Sequence, residues 1–287
     1  MSNRQKTTGL RSQFKRFLLG AKKGKKGLLS FFVEKRQKFV ISTIVLSLGL
    51  FLTEFQFSKS GFSIVFLLAI ITNLFLLWAI FEDVKENRAY QTLILPFFYS
   101  LAFGLFYFLT PTFFFSKIIL TIIYALGLYS LFLSQNILVV SSMRTIALLS
   151  GARIVSFVIT LISYFFLTNI VFSLHVTVLL VILFIILYTY FLVYCSLWTY
   201  NLQKTVSSIV TWAAVLTVCL GEAATILWFW PSTPTIIALF LTGFFYTMVG
   251  LSHIWFERRL FKGILWEYVW VSCVTFFLLI LFTPWGK

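Results

Sequence analysis

Hydrophobic positions fall into long runs over most of the chain. From Phe39 onward, polar or proline-containing breaks separate runs of roughly 18 to 24 residues, each long enough to cross about 30 Å of hydrocarbon as an α-helix. The pattern predicts an all-α fold, a polytopic transmembrane bundle of nine helices. The predicted spans cover residues 39–57, 61–81, 92–109, 113–133, 154–173, 175–198, 206–229, 235–256 and 264–282.

The breaks between the runs differ in charge, and this difference predicts the orientation of the chain. If the N-terminus is in the cytoplasm, 20 of the 23 lysines and arginines lie on the cytoplasmic side. Only Lys59, Lys117 and Lys287 then lie outside. Because loops rich in lysine and arginine are retained in the cytoplasm, we expect the N-terminus inside. An odd number of spans places the C-terminus outside.

One break, residues 134–153, is long and partly apolar. If it crossed the membrane, Arg144 would lie near the middle of the bilayer, at a cost of roughly 2.5–3.5 kcal/mol. A crossing would also move the later basic loops outside. We therefore expect this segment, with Arg144 and Arg153, to form a helix on or near the cytoplasmic surface. A re-entrant segment is the alternative.

Composition supports a membrane protein and limits its partners. Hydrophobic residues make up 60% of the 287 and charged residues 11%, whereas about a quarter of a soluble domain is charged. The net charge is +15, and 12 of the 23 basic residues lie in the first 38 positions. The other basic residues lie mostly between spans, so we expect anionic lipid headgroups and not nucleic acid as their partner. The predicted location is the cell (plasma or inner) membrane.

Two regions follow from this distribution. Residues 1–38 form a basic cytoplasmic tail, and residues 39–287 form the transmembrane helical domain. Apolar residues at helical spacing from Leu10 to Ala21 favour a short interfacial helix in the tail. A disordered tail that serves only as a topology signal is the alternative.

Glu222 is the first candidate for a functional site, because ionisable residues inside a membrane are costly and often functional. It lies well inside the seventh run, next to Gly221, Ala223 and Ala224. Small neighbours let another helix approach closely, so we expect Glu222 to be buried in the bundle. It would bind a cation or a proton, or serve as a hydrogen-bonded helix contact.

A second candidate site, for a lipid phosphate or another anion, lies around the loop between the last two spans. His253 and Glu257 are four residues apart and therefore share a helical face. The site as a whole comprises His253, Glu257, Arg258, Arg259, Lys262 and Glu267. Such a group can hold a lipid phosphate between helices, and the alternative is a solvated loop with interfacial anchors.

Several motifs of enzymes and cofactor sites are absent from the sequence. It contains no phosphate-binding loop, no HExxH metal pair and no GxSxG nucleophile elbow. The three cysteines form no CxxC pair, so we expect neither a disulfide framework nor a metal site. No catalytic residue and no cofactor are predicted.

One stretch resembles a known group of proteins. Residues 135–161, QNILVVSSMRTIALLSGARIVSFVITL, resemble a family of uncharacterised multi-pass bacterial membrane proteins. The resemblance implies a multi-pass membrane protein and no particular activity.

Three functions remain open at this point. The leading hypothesis is a non-enzymatic membrane protein of unassigned role: a scaffold, an assembly factor or a lipid-interacting factor. The first alternative is a small-solute or ion transporter that uses Glu222. The second is a lipid-directed enzyme at the His253–Glu267 cluster, which requires a cytoplasmic pocket lined by His253, Glu257, Arg259 and Glu267.

Overall fold

The computed structural model describes residues 35–56, 61–87, 89–110, 114–141, 148–200, 206–258 and 261–284. Within these ranges the chain forms nine long α-helices and a short 3-10 helix at Tyr90–Leu93, with no strand. The helices are α1 (Lys35–Gln56), α2 (Gly61–Asn87), α3 (Ile94–Leu109), α4 (Phe114–Ser141), α5 (Leu149–Ser173), α6 (Val178–Tyr200), α7 (Val206–Trp228), α8 (Pro234–Glu257) and α9 (Lys262–Phe282). The all-α prediction is confirmed.

Eight of these helices are long and apolar enough to cross a membrane, which makes the chain a membrane protein. The eight segments are Gly61–Phe81, Tyr90–Leu109, Phe114–Ser141, Leu149–Ser173, Val178–Tyr200, Ser208–Trp228, Pro234–Glu257 and Lys262–Phe282. The remaining predicted span corresponds to α1, a 22-residue helix that opens with three cations, Lys35, Arg36 and Lys38. The ninth crossing and the orientation of the termini stay predictions.

The helices surround α5, which packs against α3, α4, α6 and α8. On one side of α5, α1 packs on α2 and α4; on the other, α7 packs on α6 and α8. The last helix, α9, packs mainly on α8. In the apolar stretches of α5 and its neighbour α3, 56% of the residues are buried, compared with only 6% in α9. The centre of the bundle is therefore α5, and α9 lies at its edge.

Side-chain contacts between helices bring alternate helix ends to one end of the bundle. Lys35 at the start of α1 forms an ion pair with Asp83 near the end of α2, with Nζ 2.7 Å from Oδ2. Arg153 in the first turns of α5 forms one with Glu257 at the end of α8. We call this end of the molecule the Arg153 end.

The expected surface helix at residues 134–153 is wrong. Residues 134–141 continue α4, and residues 149–153 begin α5, while residues 142–147, including Arg144, lie outside the described residues. The 28 residues of α4 correspond to about 42 Å, more than the hydrocarbon requires. Gln135, which suggested a break, is fully buried, and its Nε2 lies 3.4 Å from the Ser156 hydroxyl of α5.

Candidate functional site

Arg153 is the centre of a polar cluster at the Arg153 end. Its Nη1 lies 3.2 Å from Oε1 of Glu257, and its Nε donates to the carbonyl of Thr199 at 3.0 Å. Its guanidinium carbon stands 4.8 Å from the centre of the Tyr200 ring. The Arg153 side chain is 19% exposed, so most of it is enclosed by α6 and α8. These contacts join α5, α6 and α8 through one cation.

His253 lies beneath this ion pair and is enclosed on several sides. The Tyr200 ring stacks on it with centroids 3.9 Å apart and planes inclined by 12°. Phe157 meets it edge-on at 5.0 Å, and the Ser196 hydroxyl shares a hydrogen bond with its Nε2 at 3.1 Å. Only 3% of His253 is exposed. A histidine held in this way is buried and contributes to the packing of α5, α6 and α8.

The aromatic contacts continue from this histidine towards α9. Phe157 stacks on Tyr246 at 5.9 Å, and Tyr246 lies 5.2 Å from Tyr268 of α9. Gly250 allows this approach, because a Cβ there would lie 2.5 Å from Cε1 of Tyr268. Aromatic pairs at such distances add stabilisation beyond their buried area. The polar cluster therefore rests on a column of rings that reaches the last helix.

The predicted anion site divides into two parts. His253 and Glu257 lie in the cluster around Arg153, whereas the side chains of Arg258, Lys262 and Glu267 are exposed. Arg258 ends α8 in the left-handed conformation, with φ of 55°. Arg259 lies outside the described residues. The enzyme hypothesis requires Glu267 and His253 to line one pocket, but Glu267 is exposed on α9, whereas His253 is buried.

Sequence reasoning missed Tyr200, Ser196 and Phe157. Tyr200 and Ser196 belong to the end of α6, and Phe157 belongs to α5. Arg153 was expected on a surface helix, but it lies in α5 beside Glu257. Aromatic residues make up 20% of this chain, so a single tyrosine at a helix end carried no recognisable signal.

A groove lies beside the cluster, between α7, α8 and α9, and we call it the Trp212 groove. Its volume is about 280 Å³. Nearly all its lining is apolar and belongs to the parts of the three helices nearest the Arg153 end: Trp212, Leu216, Met248, Leu251, Ser252, Trp255, Phe256 and Leu265. Lys262 stands three residues before Leu265, hence on the same face of α9 and nearer the helix end.

Glu222 lies in α7, but the expectation that it is buried is wrong, because its side chain is exposed on the outside of the bundle. Its small neighbours Gly221 and Ala224 are buried instead. A Cβ on Gly221 would lie 3.3 Å from Cγ1 of Ile186 in α6. Since successive helical residues are about 100° apart, small residues beside Glu222 mark a face that it does not share. The transport hypothesis required a cavity at Glu222 and loses that premise.

Comparison with known proteins identifies a family. A family model described as "Protein of unknown function (DUF5656)" matches residues 41–282. The chain therefore belongs to this family, and the predicted membership in an uncharacterised family is confirmed. The match extends far beyond residues 135–161, on which the resemblance was based. No curated protein and no solved structure matches the chain.

Proposed function

We propose that this chain is a non-enzymatic, nine-span membrane protein that binds an anionic phospholipid in the Trp212 groove. In this proposal the N-terminus and the Arg153 end face the cytoplasm. The 22 residues of α1 correspond to about 33 Å, enough for a ninth crossing. With nine crossings, the distribution of 20 basic residues inside and three outside follows the positive-inside rule.

The observation that carries the proposal is that exposed cations stand beside an apolar groove. Leu216, Met248 and Leu251 provide a surface for an acyl chain. Arg258 and Lys262, both exposed, stand at the end of α8 and the start of α9, two helices that line the groove, and in this proposal they contact the headgroup of that lipid. Basic residues near an anionic leaflet each contribute about 1 kcal/mol of attraction.

The tryptophans of the groove are consistent with a position of the groove near the membrane interface. Trp212 is 41% exposed and Trp255 is 60% exposed, and Trp212 packs edge-on against Phe256 at 6.1 Å. Tryptophan is enriched at membrane interfaces, where its ring lies at the level of the headgroups. The groove would therefore receive the upper part of an acyl chain, next to its phosphate.

Binding is favoured over catalysis by the state of His253. It is the histidine of the predicted site, and it is enclosed by Tyr200, Phe157 and Ser196. A general acid or base must reach its substrate directly or through one water. The proposed role is therefore a lipid-interacting scaffold or assembly factor.

The topology gives the first testable prediction. Green fluorescent protein fused before Met1 should fluoresce, and alkaline phosphatase fused after Lys287 should be active, because the two termini lie on opposite sides. Exchanging the two reporters is the control and should silence both. A fluorescent protein that is bright at both ends would mean an even number of crossings, and the proposed orientation would be wrong.

The lipid site gives the second prediction. Replacing both Arg258 and Lys262 with glutamine should weaken phosphatidylglycerol binding roughly tenfold to thirtyfold, because two headgroup contacts are lost. Native mass spectrometry of the protein titrated with the lipid in detergent measures this change.

A charge-matched control is available at the same end of the molecule. Arg36 and Lys85 are also exposed, and replacing both with glutamine removes the same charge away from the groove. This control should change binding less than threefold, since its contribution is long-range and screened. Equal losses in the two double variants, or equal binding of phosphatidylcholine, would contradict a specific site. Glycerol phosphate, which has no acyl chains, should not bind to the unchanged protein or to either double variant.

A further inference from the structure

Glu222 lies on the outward face of α7, six residues before the helix ends. Its exposed neighbours one and two turns away on this face are apolar: Val215 is 51% exposed, Val218 54% and Ile226 66%. The opposite face is closed, with Ala213, Leu220 and Ala224 fully buried. Among the residues that the structure describes, no hydrogen bond or ion pair reaches the Glu222 carboxylate.

The depth of Glu222 makes this position costly in a lipid environment. Trp228, the last residue of α7, follows six residues later, so Glu222 lies about 9 Å from the helix end. Long lysine and arginine side chains can extend to the membrane interface, but the glutamate side chain, with two methylenes, is too short for that. Ionisable residues in spans almost always face a protein interior or pair with another group. A partner that covers this face would satisfy the carboxyl group.

We infer that this face of α7 is the contact surface for a second copy of the chain. Two copies inserted with the same orientation and related by a two-fold axis along the membrane normal place Glu222 beside its counterpart at equal depth. A carboxylic acid complements itself, because a protonated carboxyl donates to the other and also accepts. Val215, Val218 and Ile226 would pack around this pair.

The native cysteines provide a direct test. Cys219 is half-buried and lies three residues before Glu222, on the same side of α7. A variant that keeps only this cysteine, with Cys195→Ser and Cys273→Ser, should form a disulfide-linked dimer in membranes treated with copper phenanthroline. The matched control keeps only Cys273, which is exposed on α9. It should form no disulfide-linked dimer, because the proposed contact surface does not include α9.

Substitutions at Glu222 distinguish a hydrogen-bonded pair of Glu222 carboxyl groups from two copies that only lie close to each other. Glu222→Leu should weaken dimerisation roughly tenfold in liposomes of dilute protein, because an interhelical hydrogen bond is lost. Glu222→Gln should keep the dimer, since an amide also donates and accepts. Circular dichroism confirms that each variant keeps its helices. A monomer in every case, crosslinking through Cys273 instead of Cys219, or an undiminished dimer in Glu222→Leu would each overturn the inference.

Discussion

Replacing Gly127 with alanine should lower the free energy of unfolding by about 2–3 kcal/mol, although alanine is the better helix former. Gly127 lies in α4, and a Cβ there would collide with the hydroxyl of Tyr99 from α3. Tyr99 is 1% exposed and cannot move aside without disturbing its neighbours. Its hydroxyl donates to the carbonyl of Tyr124 at 3.0 Å, and its ring stacks on that of Tyr124 at 5.6 Å.

The collision matters because Tyr124 belongs to a chain of buried hydroxyl groups. The Tyr124 hydroxyl lies 2.9 Å from that of Ser100, which in turn lies 2.9 Å from that of Thr72. These contacts join α2, α3 and α4. In a membrane interior there is no water to accept the hydrogen bond of a displaced hydroxyl group. Each broken hydrogen bond therefore lowers the stability of the protein.

Gly151 is the matched control for this experiment. It is also helical, near the start of α5, and a Cβ there would meet no atom of the described residues within 4 Å. Gly151→Ala should therefore leave stability unchanged or raise it by less than about 1 kcal/mol. Unfolding with sodium dodecyl sulfate in mixed micelles, followed by tryptophan fluorescence, measures both variants. Equal effects of the two substitutions would show that the Tyr99 contact does not limit packing.

The positions of the helices along the chain could be predicted from the sequence. The run at 235–256 corresponds to α8, Pro234–Glu257, and the run at 264–282 corresponds to α9, Lys262–Phe282. Helix length and apolar content are local properties, because a span must satisfy its backbone internally over a fixed thickness. A proline near the N-terminus of α8 also fixes where that helix begins.

The faces of the helices could not be predicted in the same way. In a soluble protein, polar residues mark the side that faces water, but in a bilayer both sides of a helix are apolar. The best inward signal is a small or hydroxyl-bearing residue, as at Thr72 and Ser100, which are fully buried. The same reasoning failed at Glu222. Its small neighbours do lie on a buried face of α7, but Glu222 lies on a different, exposed face.

Only part of the polar cluster around Arg153 could be predicted, because the sequence pattern reports on single helices and not on how they pack. The spacing of His253 and Glu257 placed them on one face of α8, which is a local inference. Their partners Arg153 and Tyr200 come from α5 and α6, and the contact between Arg153 and Glu257 spans 104 positions in sequence. To identify such partners one must know which helices are neighbours in the bundle, and the hydrophobic pattern of the sequence does not give this information.

Arg153→Met should lower the free energy of unfolding by about 2–3 kcal/mol. Methionine keeps the apolar stem but removes the ion pair to Glu257, the hydrogen bond to Thr199 and the contact with the Tyr200 ring. Removing one partner of a buried pair costs about 3–5 kcal/mol. We expect a smaller loss here, because the Glu257 side chain is 30% exposed and water can reach it.

The ion pair between Lys35 and Asp83 supplies the control, because it also joins two helices at the Arg153 end. Its lysine side chain is 55% exposed, so Lys35→Met should cost less than about 1 kcal/mol. In 1 M salt the effect of Lys35→Met should vanish, whereas that of Arg153→Met should persist, since salt screens an enclosed pair much less. Adding Glu257→Gln to Arg153→Met should restore part of the stability by removing the unpaired carboxylate. If Arg153→Met and Lys35→Met lose stability equally, Arg153 acts as a surface charge, and the enclosed cluster does not hold α5, α6 and α8 together.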